Sequence, residues 1–144
     1  MEEIGTIWLK DDQEIVFQVG PYEGKIWGDV RIFRIKNHKP QLWGVRVTKD
    51  DVINILEIIK NPRLNPNFIN EEELFRKEIN STYFLILRSL QNNDGVDCLD
   101  LRYFDTDTGF HKIKGVEIPY QYRSEIIKYF NLMLKKWEEI RKDI

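Results

Sequence analysis

Between residues 24 and 47 apolar and polar side chains alternate with the two-residue period of a half-buried strand. Ile26, Val30 and Ile32 fall on one side, and Lys25, Trp27, Asp29 and Arg31 on the other. A polar turn at Asn37, His38, Lys39 and Pro40 leads into a second run, Leu42 to Val47, in which Gly44 marks a bulge or a close backbone approach. Upstream, the pattern predicts strands at 4–9 and 14–20, joined by Lys10-Asp11-Asp12-Gln13 and stopped by Gly20-Pro21. After the fourth strand, 41–47, the period becomes helical. Thr48 stands at the N-cap, Asp50 and Asp51 suit the first turn, and Val52, Ile55, Leu56 and Ile59 form the apolar stripe. Ile53 and Ile58 widen that stripe beyond what one sheet surface needs, so the helix is expected to pack on a second helix as well.

Asn61-Pro62 ends this helix. Residues 63–80 read as a linker in which two local structures stay open: a short capped helix from Asn70 to about Glu78, or a strand from Leu74 to Ile79. Strands then follow at Thr82 to Leu90, Val96 to Phe104 and Phe110 to Ile118, with Asn92-Asn93-Asp94-Gly95 as a hairpin turn. The longest helix comes after Pro119, with Ile126, Phe130, Met133, Leu134, Trp137 and Ile140 on one side and Glu138 and Glu139 on a solvated face.

The second half repeats the first. Arg31 recurs as Arg102, 71 positions on, and the same shift carries Gly24 onto Gly95, Asp29 onto Asp100, Phe33 onto Phe104 and Gly44 onto Gly115. It also carries Ile15, Val16 and Val19 onto Ile86, Leu87 and Leu90, and Ile55 and Leu56 onto Ile126 and Ile127, with no gap. Matches in glycines, charges and apolar positions at one spacing argue for a duplicated module.

A Gly-Lys strand opening, Asp29-Val30-Arg31-Ile32-Phe33, a polar turn, Gly44-Val45-Arg46-Val47 and an acidic-capped helix together resemble the positive cofactor four family of transcriptional coactivators. Leu99-Asp100-Leu101-Arg102-Tyr103-Phe104 with Lys114-Gly115-Val116-Glu117-Ile118 is similar to the same pattern. The resemblance implies an α+β fold: two repeats, each a curved antiparallel four-stranded sheet plus a helix, packed as an intramolecular pseudo-dimer. The expected units are 1–62 and 81–144, with 63–80 between them. In that family the strand faces of paired units bind single-stranded DNA, which places Lys25 and Arg31 against the backbone and Tyr22 as a loop aromatic stacking on bases. Trp43 takes the place of a family lysine.

Composition bounds the function further. At 144 residues, 42% apolar and 32% charged, the chain has a globular composition, and no apolar run is long enough to span a membrane. No basic-then-apolar leader follows Met1, so a cytoplasmic location is expected, nucleoid-associated in a bacterium. One cysteine and two histidines offer no disulfide and no zinc spacing, and no nucleophile with an adjacent base appears; neither enzyme activity, metal nor cofactor is expected.

The net charge of −2 is unevenly spread. Residues 22–49 hold seven Lys or Arg against two carboxylates, whereas residues 93–120 hold three against six. The first copy therefore carries the ligand candidates: Lys25, Arg31, Arg34, Lys36, Lys39 and Arg46 for phosphates, with Tyr22, Trp27 and Trp43 for bases. Solvation of an exposed sheet face is the competing reading for the cations, and burial for the two tryptophans. In the second copy Asn93, Val96 and Cys98 replace Tyr22, Lys25 and Trp27, so Arg102, Lys112 and Lys114 are weaker candidates on a largely lost face. Asp29 and Asp100 each precede an arginine by two residues and read as structural salt bridges, Phe33 and Phe104 as core, and His38 as a solvated turn residue. The expected partner is single-stranded DNA, with RNA as the alternative, for a chain that is a monomer by itself or dimerises further. The competing function is a protein-interaction module that kept the scaffold and lost nucleic-acid binding.

Overall fold

The computed structural model describes residues 1–142 and contains two antiparallel four-stranded sheets and two helices, an α+β architecture in two similar halves. The first sheet runs in chain order through β1 (Glu2–Trp8), β2 (Gln13–Tyr22), β3 (Lys25–Arg34) and β4 (Lys39–Val47), followed by α1 (Lys49–Ile59). The second runs through β5 (Glu72–Glu78), β6 (Tyr83–Gln91), β7 (Asp97–Asp105) and β8 (Gly109–Pro119). A single 3₁₀ turn, Tyr120–Tyr122, then leads into α2 (Arg123–Lys142). Residues 143 and 144, the end of the expected second unit, lie outside the described residues.

Two expectations are corrected. The stretch expected as a linker contains β5, an edge strand paired antiparallel to β6, so the second sheet begins at Glu72 and the helical alternative there is excluded. The repeat also has a gap. Phe17 pairs with Val30 and Leu87 with Leu101, so β2 and β6 are related by 70 residues while β3 and β7 are related by 71. The cause is the hairpin loop. Tyr22 pairs with Lys25 around the two-residue turn Glu23-Gly24, both at positive φ as a type I′ turn requires, whereas Gln91 pairs with Asp97 around a longer loop. Ile15 and Val16 therefore correspond to Leu85 and Ile86. A one-residue slip matters because it reverses which face each side chain occupies.

Capping fixes the start of α1 as expected: Thr48 Oγ1 accepts from the Asp51 amide and the Asp51 carboxylate accepts from the Thr48 amide. The helices are exchanged between the halves. α2 lies on the first sheet, where Phe130 and Tyr129 pack on Phe17 with ring centroids 5.8 and 5.2 Å apart and Met133 and Trp137 press on Gly28. α1 instead contacts α2 and β5, with Lys77 of β5 bonded to Asp51 at 2.5 Å. Arg123 at the start of α2 donates to the Ile59 and Asn61 carbonyls at the end of α1. One core results, holding Phe17, Val30, Val47, Ile55, Leu101, Ile126 and Trp137 from both halves. Burial of each such side chain contributes about 1.5–3 kcal/mol, and neither sheet covers its own apolar face without the partner's helix.

Candidate nucleic-acid interface

The pairing of β2, β3 and β4 turns Val16, Gln18, Trp27, Asp29, Arg31, Gly44 and Arg46 to the face of the first sheet opposite the core. The most ordered group on it is built around Asp29, whose side chain is 3% exposed. Its carboxylate accepts from Arg31 Nε at 3.1 Å, Arg31 Nη2 at 3.0 Å and Gln18 Nε2 at 2.9 Å. Arg31 Nη1 donates to the Gln41 and Leu42 carbonyls, which the β4 bulge opposite Arg31 and Phe33 leaves without ladder partners. Four of the five guanidinium N–H groups are thus committed inside the protein. The second copy repeats the device: Arg102 bonds Asp100 and the His111 and Lys112 carbonyls, with Arg88 in place of Gln18. The Asp-x-Arg and glycine pattern that marks the repeat is a clamp on the bulge.

The other expected residues fall into three separate groups rather than one trough. At one end of β3, Lys25 is exposed beside Tyr22, and the Arg46 guanidinium lies 3.5 Å from the centroid of the Tyr22 ring. Arg46 Nε is buried with no hydrogen-bond partner among the described residues, and Trp27 next to it is half-buried. At the other end, Arg34 pairs directly opposite Lys39, and both line a hollow of about 520 Å³ with Arg31 and Asn37. Neither Arg34 nor Lys39 meets a carboxylate among the described residues. Lys36 is exposed in the adjoining turn, its amide held by Asp12.

His38 is not simply solvated. Its ring bonds Glu3, lies 3.4 Å from Glu14 and packs on Phe33 at 4.9 Å between centroids, tying the β3–β4 turn to β1 and β2. The hydrogen bond to Glu3, then the charges of Glu3 and Glu14, raise its pKa above the ordinary histidine value.

The third group crosses the halves. Trp43, 44% exposed, stands in a cleft of about 700 Å³ with Ile32 and the β1–β2 turn on one wall and Arg102, Lys112, Cys98 and Glu117 of the second sheet on the other. Lys10 and Asp94 form a 2.8 Å ion pair between the halves at its exposed rim. Among the described residues Glu117 meets no side-chain hydrogen-bond partner, and burial, then the neighbouring Asp100 carboxylate, raises its pKa. Lys114 lies apart, 5.7 Å from the Tyr83 ring. Among the described residues no cluster of His, Cys, Asp and Glu could hold a metal ion, and no helix is long and apolar enough to cross a membrane.

No protein-family model matches this chain, and no curated protein matches it. Among solved structures it is similar to WHY3 from Arabidopsis thaliana, with a TM-score of 0.45 and 13% identity over 97% of this chain and 92% of that one. It is also similar to the plant transcriptional regulator PBF-2, with a TM-score of 0.45 and 10% identity over 96% of this chain and 85% of that one. Likeness of this degree carries no functional argument.

One surface was not visible in the sequence. Phe104, expected in the core, is half-buried on the outward face of the second sheet, edge-on to Phe110 at 4.9 Å. Arg88 lies 3.6 Å from the Phe110 centroid and Arg76 4.9 Å from that of Phe84. Carboxylates already answer these arginines: Glu71 and Asp100 hold Arg88, and Glu73 holds Arg76. Only the altered frame of β6 reveals which of its residues share that face.

Proposed function

We propose that the protein binds single-stranded nucleic acid with little sequence preference, through separate aromatic and cationic contact points rather than one continuous groove. The observation that carries this reading is Arg34 directly opposite Lys39, with no counter-ion on either among the described residues. Like charges facing across a ladder are unfavourable, and a phosphate between them relieves the repulsion. The Arg46 and Tyr22 pair adds an exposed ring with a cation stacked on it, which suits a base together with its phosphate. Arg31 is removed from the contact list because its donors are spent on Asp29 and β4. The test is an anisotropy titration of a short labelled oligonucleotide at two salt concentrations. Affinity that falls steeply with salt, and falls at least several-fold in Lys39→Ala, supports the reading; no affinity at low salt overturns it.

A second reading, a protein-interaction module, has its own observation. The Phe104 and Phe110 face of the second sheet is aromatic, and its arginines are neutralised in place. Such a surface suits an apolar partner better than phosphate. The same titration separates the two, since this reading requires no oligonucleotide affinity.

A further inference from the structure

The two halves share one backbone plan, yet the cleft beside Trp43 owes its shape to two exchanged side chains. Cross-strand pairing matches Trp27 with Cys98, since they face Gly20 and Leu90, and Arg46 with Glu117, since they face Asp29 and Asp100. In the first copy, the Trp27 indole and the Arg46 guanidinium stacked on Tyr22 occupy these positions. In the second, a thiol and a carboxyl stand there, and space opens beneath Trp43.

The chemistry of this space is directional. Its wall offers an exposed indole, with Leu9, Ile32 and Val116 as further apolar lining, and its volume falls within the range of pockets that enclose a small planar ligand. Lys112 stands outside, exposed and meeting no carboxylate among the described residues, while Lys10 at the rim is paired with Asp94. Inside, Glu117 offers a hydrogen-bond acceptor, and the Arg102 donors are committed to Asp100 and to the His111 and Lys112 carbonyls. A ligand that satisfies this arrangement has a flat aromatic head with hydrogen-bond donors on its edge and a negative tail.

We infer that the cleft between the halves receives one base of a bound strand, stacked on Trp43, with Glu117 reading the base edge and Lys112 meeting the phosphate. The inference rests on the nucleic-acid reading above and names a subsite within it. Glu117 accepts from an exocyclic amino group on the base edge. Cytosine and adenine present that amino donor; thymine lacks it. The cleft therefore selects cytosine or adenine over thymine.

The test uses the full chain with labelled oligodeoxycytidylate and oligothymidylate of about 12 nucleotides. Trp43→Ala removes an exposed side chain, and an unchanged unfolding midpoint confirms the fold. The expected result is a loss of about 5- to 150-fold in oligodeoxycytidylate affinity, the range set by one base–aromatic stack, with Trp43→Phe recovering most of it. Wild type prefers cytidylate over thymidylate by about tenfold, the scale of one hydrogen bond to a charged group. Glu117→Gln erases that preference, because an amide can turn to match either base. Strand binding unaffected by Trp43→Ala overturns the subsite and leaves the general nucleic-acid reading standing. No strand binding by wild type overturns both.

Discussion

Arg31 lies across Gly44, with its Cγ and Cζ each 2.8 Å from the point where a Cβ on that glycine would stand. Arg102 lies across Gly115 in the same way, with Cγ at 2.6 Å and Cζ at 2.5 Å. The glycine lets the arginine reach the bulge carbonyls while it holds the aspartate two residues back. Gly44→Ala and Gly115→Ala are each expected to destabilise the protein by about 1–3 kcal/mol, the cost of forcing a methyl group into a filled site. Urea denaturation followed by tryptophan fluorescence checks this through the midpoint. An unchanged midpoint in both variants would mean the arginines move aside freely.

This clamp shows how far the sequence could be read. The alternation around Asp29 and Arg31, the glycine in the next strand and the second copy were visible as pattern, and they led correctly to two four-stranded sheets with helices. The partners of Arg31 were not visible. They are main-chain carbonyls freed by a bulge, which leaves no mark beyond one glycine. The side to which Trp43 turns was not legible for a related reason: three residues of β4 bulge past Ile32, so simple alternation does not tell which half the indole faces. The register of β6 was lost to one extra loop residue, which conceals the aromatic face of the second sheet from any gapless comparison.

The Asp29 and Arg31 pair separates stability from binding. Arg31→Ala leaves the Asp29 carboxylate buried with only the Gln18 amide, and the expected loss is about 3–5 kcal/mol of stability. Lys25→Ala, at an exposed position, is expected to leave the unfolding midpoint within about 0.5 kcal/mol of wild type while weakening oligonucleotide binding. Thermal unfolding and anisotropy on the same preparations check both. A midpoint unmoved by Arg31→Ala would contradict the clamp.

His38 makes stability depend on pH. Its folded pKa is raised, first by the hydrogen bond to Glu3 and then by the charges of Glu3 and Glu14, over an ordinary value of 6.5. The folded state therefore binds the proton more tightly than the unfolded chain. That stabilisation is fully present below the unfolded pKa and disappears as pH rises through the folded one. Wild type is expected to lose thermal stability across a window that starts near 6.5 and extends upward, and His38→Gln to show a flatter profile there. A histidine titration followed by NMR gives the folded pKa directly. A value at or below the ordinary one would remove this account.

Cys98 tests whether the floor of the inter-half cleft is closed. The residue is 1% exposed, and its thiol pKa is pushed up to about 12 by burial, then by the charges of Glu117, Asp100 and Asp97. Relative to a thiol at its ordinary 9.0, about a thousandfold fewer thiolates exist near neutral pH, and thiolate is the reactive form. The native protein is expected to resist an aromatic disulfide reagent for hours, then to release one equivalent per chain once urea unfolds it. The rate at intermediate urea should follow the unfolded fraction, because both protections end together when β7 leaves the sheet. Fast labelling of the folded chain, with the unfolding midpoint unchanged, would show that the cleft floor opens on its own.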